Sequence, residues 1–235
     1  MATAWILNLD AELEMANAGP FTAPAALRAV LDRQRAHART LLSPDDVEVG
    51  EGPTEGMRGR MWCPTPMAVR RLHDSGVIAL AHAPVDVVRA VNDRAFCAGL
   101  GQCIEGARFV TTLDEALDHL GRAPRDSHWL AKRAFAVAGR GQRRLVIGEV
   151  GPSEHAWLRA SLRRGGLQLE PRLELDAELA VHGWVGSDGD SLLGSPTWQH
   201  VRNGAFVSST TELPGALAGH RPALLHAGAK VARAL

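Results

Sequence analysis

Residues 128–145, HWLAKRAFAVAGRGQRRL, set one lysine, Lys132, in an otherwise apolar strand. A glycine-punctuated loop follows it, Ala138-Gly139-Arg140-Gly141-Gln142. An ammonium held on a strand suits a point charge beside phosphate oxygens, and glycines let backbone N–H groups approach those oxygens. A second stretch, LEPRLELDAELAVHG over residues 169–183, places Glu170 at an apolar strand end and Glu178 eight residues later. Taken singly, Lys132 also fits a strand lysine that snorkels to solvent. Gly139 and Gly141 fit any hairpin, Glu170 a strand end, and Glu178 a solvated strand residue. Their order links them: lysine strand, glycine loop, return strand, helix, Gly165-Gly166 stop, Glu170-Pro171, then the second glutamate.

Other chemistries find less support. There is no G-x-x-x-x-G-K-[ST], which excludes a P-loop, and Gly99, Gly101 and Gly106 miss the dinucleotide-binding spacing. The ten histidines, His182, His200, His220 and His226 among them, form no H-E-x-x-H and no cluster with cysteine, so no metal site is expected. Ser153 and Ser161 lack the context of a nucleophile elbow. Cys63, Cys97 and Cys103 are odd in number with no CxxC pair, and read as buried free thiols in a reducing compartment. The formal net charge of zero offers no field for nucleic acid. No run approaches the ~18–20 apolar residues of a membrane helix, and the first residues lack a leader pattern, so a cytoplasmic location with no membrane partner is expected.

These residues need elements to hold them. A core strand is expected at 5–9, a helix at 24–42, a loop at 43–60, a helix at 66–75, a strand at 77–80 and a helix at 84–90. Thr112 and Glu115 have capping-box spacing and should start a helix running to 120. A turn at 123–126 precedes the Lys132 strand. The return strand is expected at 143–150, a helix at 153–164, strands at 167–169, 177–185 and 205–208, and a closing helix at 214–235. With 235 residues, 46% apolar and 22% charged, the chain suits one large domain or two small ones. Scarce lysine beside abundant arginine and alanine, with no tyrosine, reads as codon bias.

The ordered segments resemble the ATP-grasp family. Asn92-Asp93-Arg94 is similar to the family's Asn-Asp-Lys, with Arg94 in place of the first lysine. Lys132 is similar to the second lysine, Gly139-Arg140-Gly141-Gln142 to the lid loop, and Glu170-Pro171-Arg172-Leu173 to the adenine hinge. Glu178 is similar to the ribose acid. The resemblance implies that backbone groups of Arg172 and Leu173 meet the purine edge. It implies a mixed α/β and α+β fold: a small N-terminal α/β domain over 1–91, resembling a pre-ATP-grasp domain, then an incomplete ATP-grasp module over 92–235 with a lid at about 106–168. ATP is the implied cofactor, and the implied reaction activates a carboxylate as an acyl phosphate for attack by an amine or thiol. The carboxylate and amine substrates are unassigned, and self-association into a homo-oligomer is left open. The sequence departs from the family late. After Asp190 it holds one acid, Glu212, and no Glu-x-Asn pair, so Mg²⁺ ligands are not identifiable. The chain therefore reads as either a truncated or a degenerate ligase, the second being a nucleotide- or partner-binding module without catalysis.

Overall fold

The computed structural model describes residues 2–17, 21–101, 103–136, 140–202 and 205–235. It divides into two compact units, Met1–Asp93 and Arg94–Leu235. The first runs β1 (Thr3–Ile6), α1 (Ala11–Met15), α2 (Ala25–Arg39), β2 (Val47–Glu48), β3 (Arg58–Met61), α3 (Pro66–Asp74), β4 (Ile78–Ala79) and α4 (Val85–Asn92). Its sheet is parallel, in the order β2-β1-β3-β4. Ile6, Ala68 and Leu72 form its buried centre, with Val49, Met61 and Val77 packed against them.

Two of these strands lie where a loop is expected. β3 reads Arg-Gly-Arg-Met, whose alternation of exposed arginines with Gly59 and Met61 is too short to show as a period, and β2 has only two residues. Gly59 in β3 is needed there, since a Cβ would fall 2.3 Å from Val77 Cγ2. Helix α3 starts at Thr65, whose Oγ1 accepts from the N–H of Ala68. The same hydroxyl donates to Glu14 Oε2 at 2.6 Å, and Glu14 Oε1 accepts from the N–H of Met67 at 2.8 Å. A carboxylate at a helix N-terminus satisfies open donors and complements the dipole. Asn8 completes this network, donating to the Cys63 carbonyl and accepting from its N–H.

The second unit begins with α5 (Arg94–Gly99), β5 (Arg108–Val110), α6 (Leu113–Gly121), β6 (His128–Arg133), β7 (Gln142–Val146), α7 (Pro152–Leu162) and β8 (Leu167–Pro171). These strands form an antiparallel sheet in the order β5-β8-β6-β7. Thr112 and Glu115 close the expected capping box. Gly165 and Gly166 stop α7 with φ of +116° and +114°. A Cβ on Gly166 would lie 2.6 Å from Phe109, so both space and backbone demand glycine. Trp129, Ala131, Leu145, Leu167 and Leu169 bury one sheet face with Ala116, Leu120 and Leu158 of the helices.

The chain continues through β9 (Glu178–Ala180), β10 (Gly183–Val185), β11 (Ser191–Leu193), β12 (Thr197–Arg202), β13 (Ala205–Thr210), α8 (Gly215–Ala218) and α9 (Arg221–Ala232). β13-β12-β9 form one antiparallel sheet and β10-β11 a hairpin. The single strand expected at 177–185 is two: β9 pairs with β12, and Gly183 opens a separate hairpin with β11, where a Cβ would meet the Leu192 carbonyl at 3.0 Å. The closing helix is also two, parted at Gly219-His220. From α9, Lys230 Nζ donates to the Leu100 carbonyl just beyond α5 at 2.9 Å. The fold is thus a parallel α/β sheet in one unit and antiparallel α+β sheets in the other, as the sequence leads one to expect.

Candidate functional site

Side chains alternate across a strand, so burying Trp129 and Ala131 on the helix side turns Leu130 and Lys132 to the opposite face. Register extends this face across the sheet. Leu130 pairs with Arg144 of β7 and Glu170 of β8, and Lys132 with Gln142 and Gln168. Leu130, Lys132, Gln142, Arg144 and Glu170 of this face line a cleft of about 460 Å³, a size common for small-molecule sites, while the buried Gln168 is not part of its lining. The cleft also takes Arg94 from α5, Arg140 from the hairpin, Arg172, Leu173 and Glu174 from the segment after β8, and Glu178 from β9.

Within it Lys132 is ion-paired with Glu170, the two side chains 23% and 13% exposed. Arg94 is fixed at the start of α5, its N–H donating to Ala134 O at 3.1 Å and its Nε to Arg133 O at 3.0 Å. Gly141 closes the β6–β7 hairpin with φ +67°, its carbonyl accepting from Arg133 N–H at 3.0 Å, and a Cβ there would come within 3.0 Å of Ala136. Gly139 lies outside the described residues. Arg172 donates its backbone N–H to His128 O at 2.8 Å, prolonging the β8–β6 ladder. That bond occupies the Arg172 amide, so of its backbone groups the carbonyl is left, and Leu173 follows it into the cleft. Glu178 opens β9 directly across from Gln199 of β12.

Two neighbouring arginines point elsewhere. Arg133 Nε donates to Ser161 Oγ at 2.9 Å and its guanidinium lies 5.3 Å from the Trp157 ring. Burial, and then the nearby Arg164, lowers its pKa. Arg143 donates to Ser153 Oγ and Glu154 Oε1, and it holds the Glu154 carboxyl below the usual range. Sequence reading missed Arg144 and Gln168. Alternation with the buried Leu145 puts Arg144 on the polar face, as alternation with Leu167 and Leu169 puts Gln168, but only the strand register, set by contacts distant in sequence, brings either into line with Leu130 and Lys132.

Among the described residues no three of His, Cys, Asp and Glu gather as metal ligands. Mg²⁺ needs several hard oxygens, and one of the cleft's acids is already paired with Lys132. This donor set does not fit the ion. The thiols depart from expectation: Cys97 and Cys103 are exposed and Cys63 is half-buried. No helix among the described residues is long and apolar enough to cross a membrane.

No protein-family model matches the sequence, and no curated protein matches it. Solved structures do resemble the fold. An N5-carboxyaminoimidazole synthetase from Staphylococcus aureus, complexed with ADP, superposes with a TM-score of 0.57 at 12% identity, over 100% of this chain and 63% of that one. The N5-carboxyaminoimidazole ribonucleotide synthetase of Thermus thermophilus gives 0.55 at 19% identity, over 100% and 63%. D-alanyl-alanine synthetase A of Vibrio cholerae gives 0.54 at 10%, over 98% and 80%. The chain therefore spans about 63% of the length of the first two. At these identities the likeness shows the fold, part of the ATP-grasp architecture.

Proposed function

We propose that the cleft binds an adenosine di- or triphosphate and that the chain belongs with the ATP-grasp ligases, which use ATP to activate a carboxylate. One observation carries the reading: Arg94, Lys132, Arg140, Gln142, Glu170, Arg172, Leu173 and Glu178, distant in sequence, line a single cleft. On this reading residues 92–235 are the nucleotide-binding module, with a lid at about 106–168, and residues 1–91 are the small domain preceding it. The ADP complex of the Staphylococcus aureus synthetase supports the choice of nucleotide.

Each side chain has a task set by its chemistry. Lys132, Arg94 and Arg140 supply fixed cations for phosphate oxygens, which carry the negative charge spread by phosphoryl transfer. Gly141 allows backbone to approach the same oxygens. Leu173 offers a backbone edge to the base. Glu178, acceptor-only when ionised, takes hydrogen bonds from ribose hydroxyls. The bound nucleotide would supply the phosphoryl group.

Calorimetry with ADP tests the reading. The parent protein is expected to bind, and Lys132→Met to bind at least about tenfold more weakly, the scale of one hydrogen bond to a charged group. Failure of the parent to bind ADP overturns the nucleotide site. Equal affinity of parent and variant removes Lys132 from it.

A further inference from the structure

Gln168 lies in β8 between Leu167 and Leu169, both fully buried on the helix face of the sheet. Alternation turns it to the other face, the one that carries Lys132 and Glu170. Gln168 is 6% exposed, and its Oε1 has no hydrogen-bond partner among the described residues. Nearly all buried polar atoms are satisfied, and an orphaned acceptor forfeits its hydration without return.

The register shows what stands opposite this oxygen. On one side is Phe109 of β5, whose side chain has nothing to donate. On the other is Lys132. Directly opposed Cβ atoms lie about 5 Å apart and diagonal ones about 7 Å. Lys132 therefore faces two oxygen acceptors on β8, the diagonal Glu170 carboxylate with which it pairs, and the directly opposed Gln168 carbonyl with which it does not. An ammonium has three hydrogens to give.

We propose that Gln168 is a positioning residue for Lys132. When the polyphosphate of a nucleotide draws the ammonium away from Glu170, Gln168 Oε1 accepts one of its hydrogens and holds it against the phosphates. This inference rests on the nucleotide-binding reading above. It accounts for a buried acceptor that is unpaired while Lys132 sits on Glu170.

Gln168→Met keeps the length of the side chain and removes the acceptor. Its thermal midpoint should equal or exceed that of the parent, because an unsatisfied oxygen is lost from the interior. ADP affinity should fall about tenfold, while adenosine, which has no phosphates, should bind as it does to the parent. In a Lys132→Met background, Gln168→Met should add no further loss, since the two act through one contact. Gln168→Leu repeats the test with a different apolar shape. Unchanged ADP affinity, equal losses for ADP and adenosine, or additive losses with Lys132→Met would each overturn the proposal. Lowered thermal midpoints in both variants would overturn it too, by giving Gln168 a structural role. A parent that binds neither ADP nor adenosine removes the nucleotide site itself, whereas a parent that binds both beside an unaffected variant removes only Gln168.

Discussion

Lys132 and Glu170 neutralise one another across β6 and β8, so a polyphosphate must compete with a carboxylate for the ammonium. Glu178 has a different task and a different test. If it accepts hydrogen bonds from ribose hydroxyls, Glu178→Ala should reduce discrimination between ATP and its 2′,3′-dideoxy analogue by about tenfold, as expected for charge-assisted bonds. Competition binding with the two nucleotides measures this, and equal discrimination in variant and parent would refute it. Glu178, Glu170 and Lys132 were legible in the sequence because each sits at an ordered distance from a glycine or proline signal. Gln168 and Arg144 were not. Their places follow from which residues of β6, β7 and β8 stand opposite each other, and that pairing is fixed by the core on the far face of the sheet.

At the scale of elements, the edge of the parallel sheet depends on one carboxylate. Asp46 accepts from the N–H of Thr3 at 2.8 Å, from Trp5 Nε1 at 3.1 Å and from the N–H of Ser43 at 3.2 Å, tying the start of β1 to the turn before β2. Burial pushes its pKa up, but these hydrogen bonds favour the charged form and leave it below the usual aspartate value. A carboxyl with a depressed folded pKa stabilises the fold above its unfolded value and loses that contribution as pH falls through the folded value. Thermal midpoints should therefore drop on acidification below about pH 4, and Asp46→Asn should flatten part of that drop. Identical pH curves for parent and variant would contradict it. Of the helices around this sheet, α1, with five residues, is too short to show a helical period, whereas α2, α3 and α4 were legible from their apolar spacing. Short strands such as β2 and β3 were not, because two to four residues with exposed arginines carry no period, and their pairing with β1 is the only thing that makes them strands.

Across the whole molecule, the three thiols form two classes. Cys97 and Cys103 are exposed. The Cys63 thiol is pushed up to about 11, chiefly by burial and then by the negative charges of Glu12 and Glu14. The thiolate is the reacting form, so an aromatic disulfide reagent near neutral pH should titrate two thiols quickly and the third slowly. A single rate for all three would contradict this arrangement. The expectation of buried thiols failed because cysteine count and spacing say nothing about depth. The chain's preference for arginine has a consequence of another kind. It contains just two lysines, Lys132 in the cleft and Lys230 on α9, the latter held by the Leu100 carbonyl. An amine-reactive tag thus has only two side-chain addresses in the entire protein. One of them lines the cleft, where a nucleotide bound as proposed would shield it, and the other lies outside it as a built-in reference, so peptide masses that separate the two lysines from the N-terminus read occupancy on the unaltered sequence.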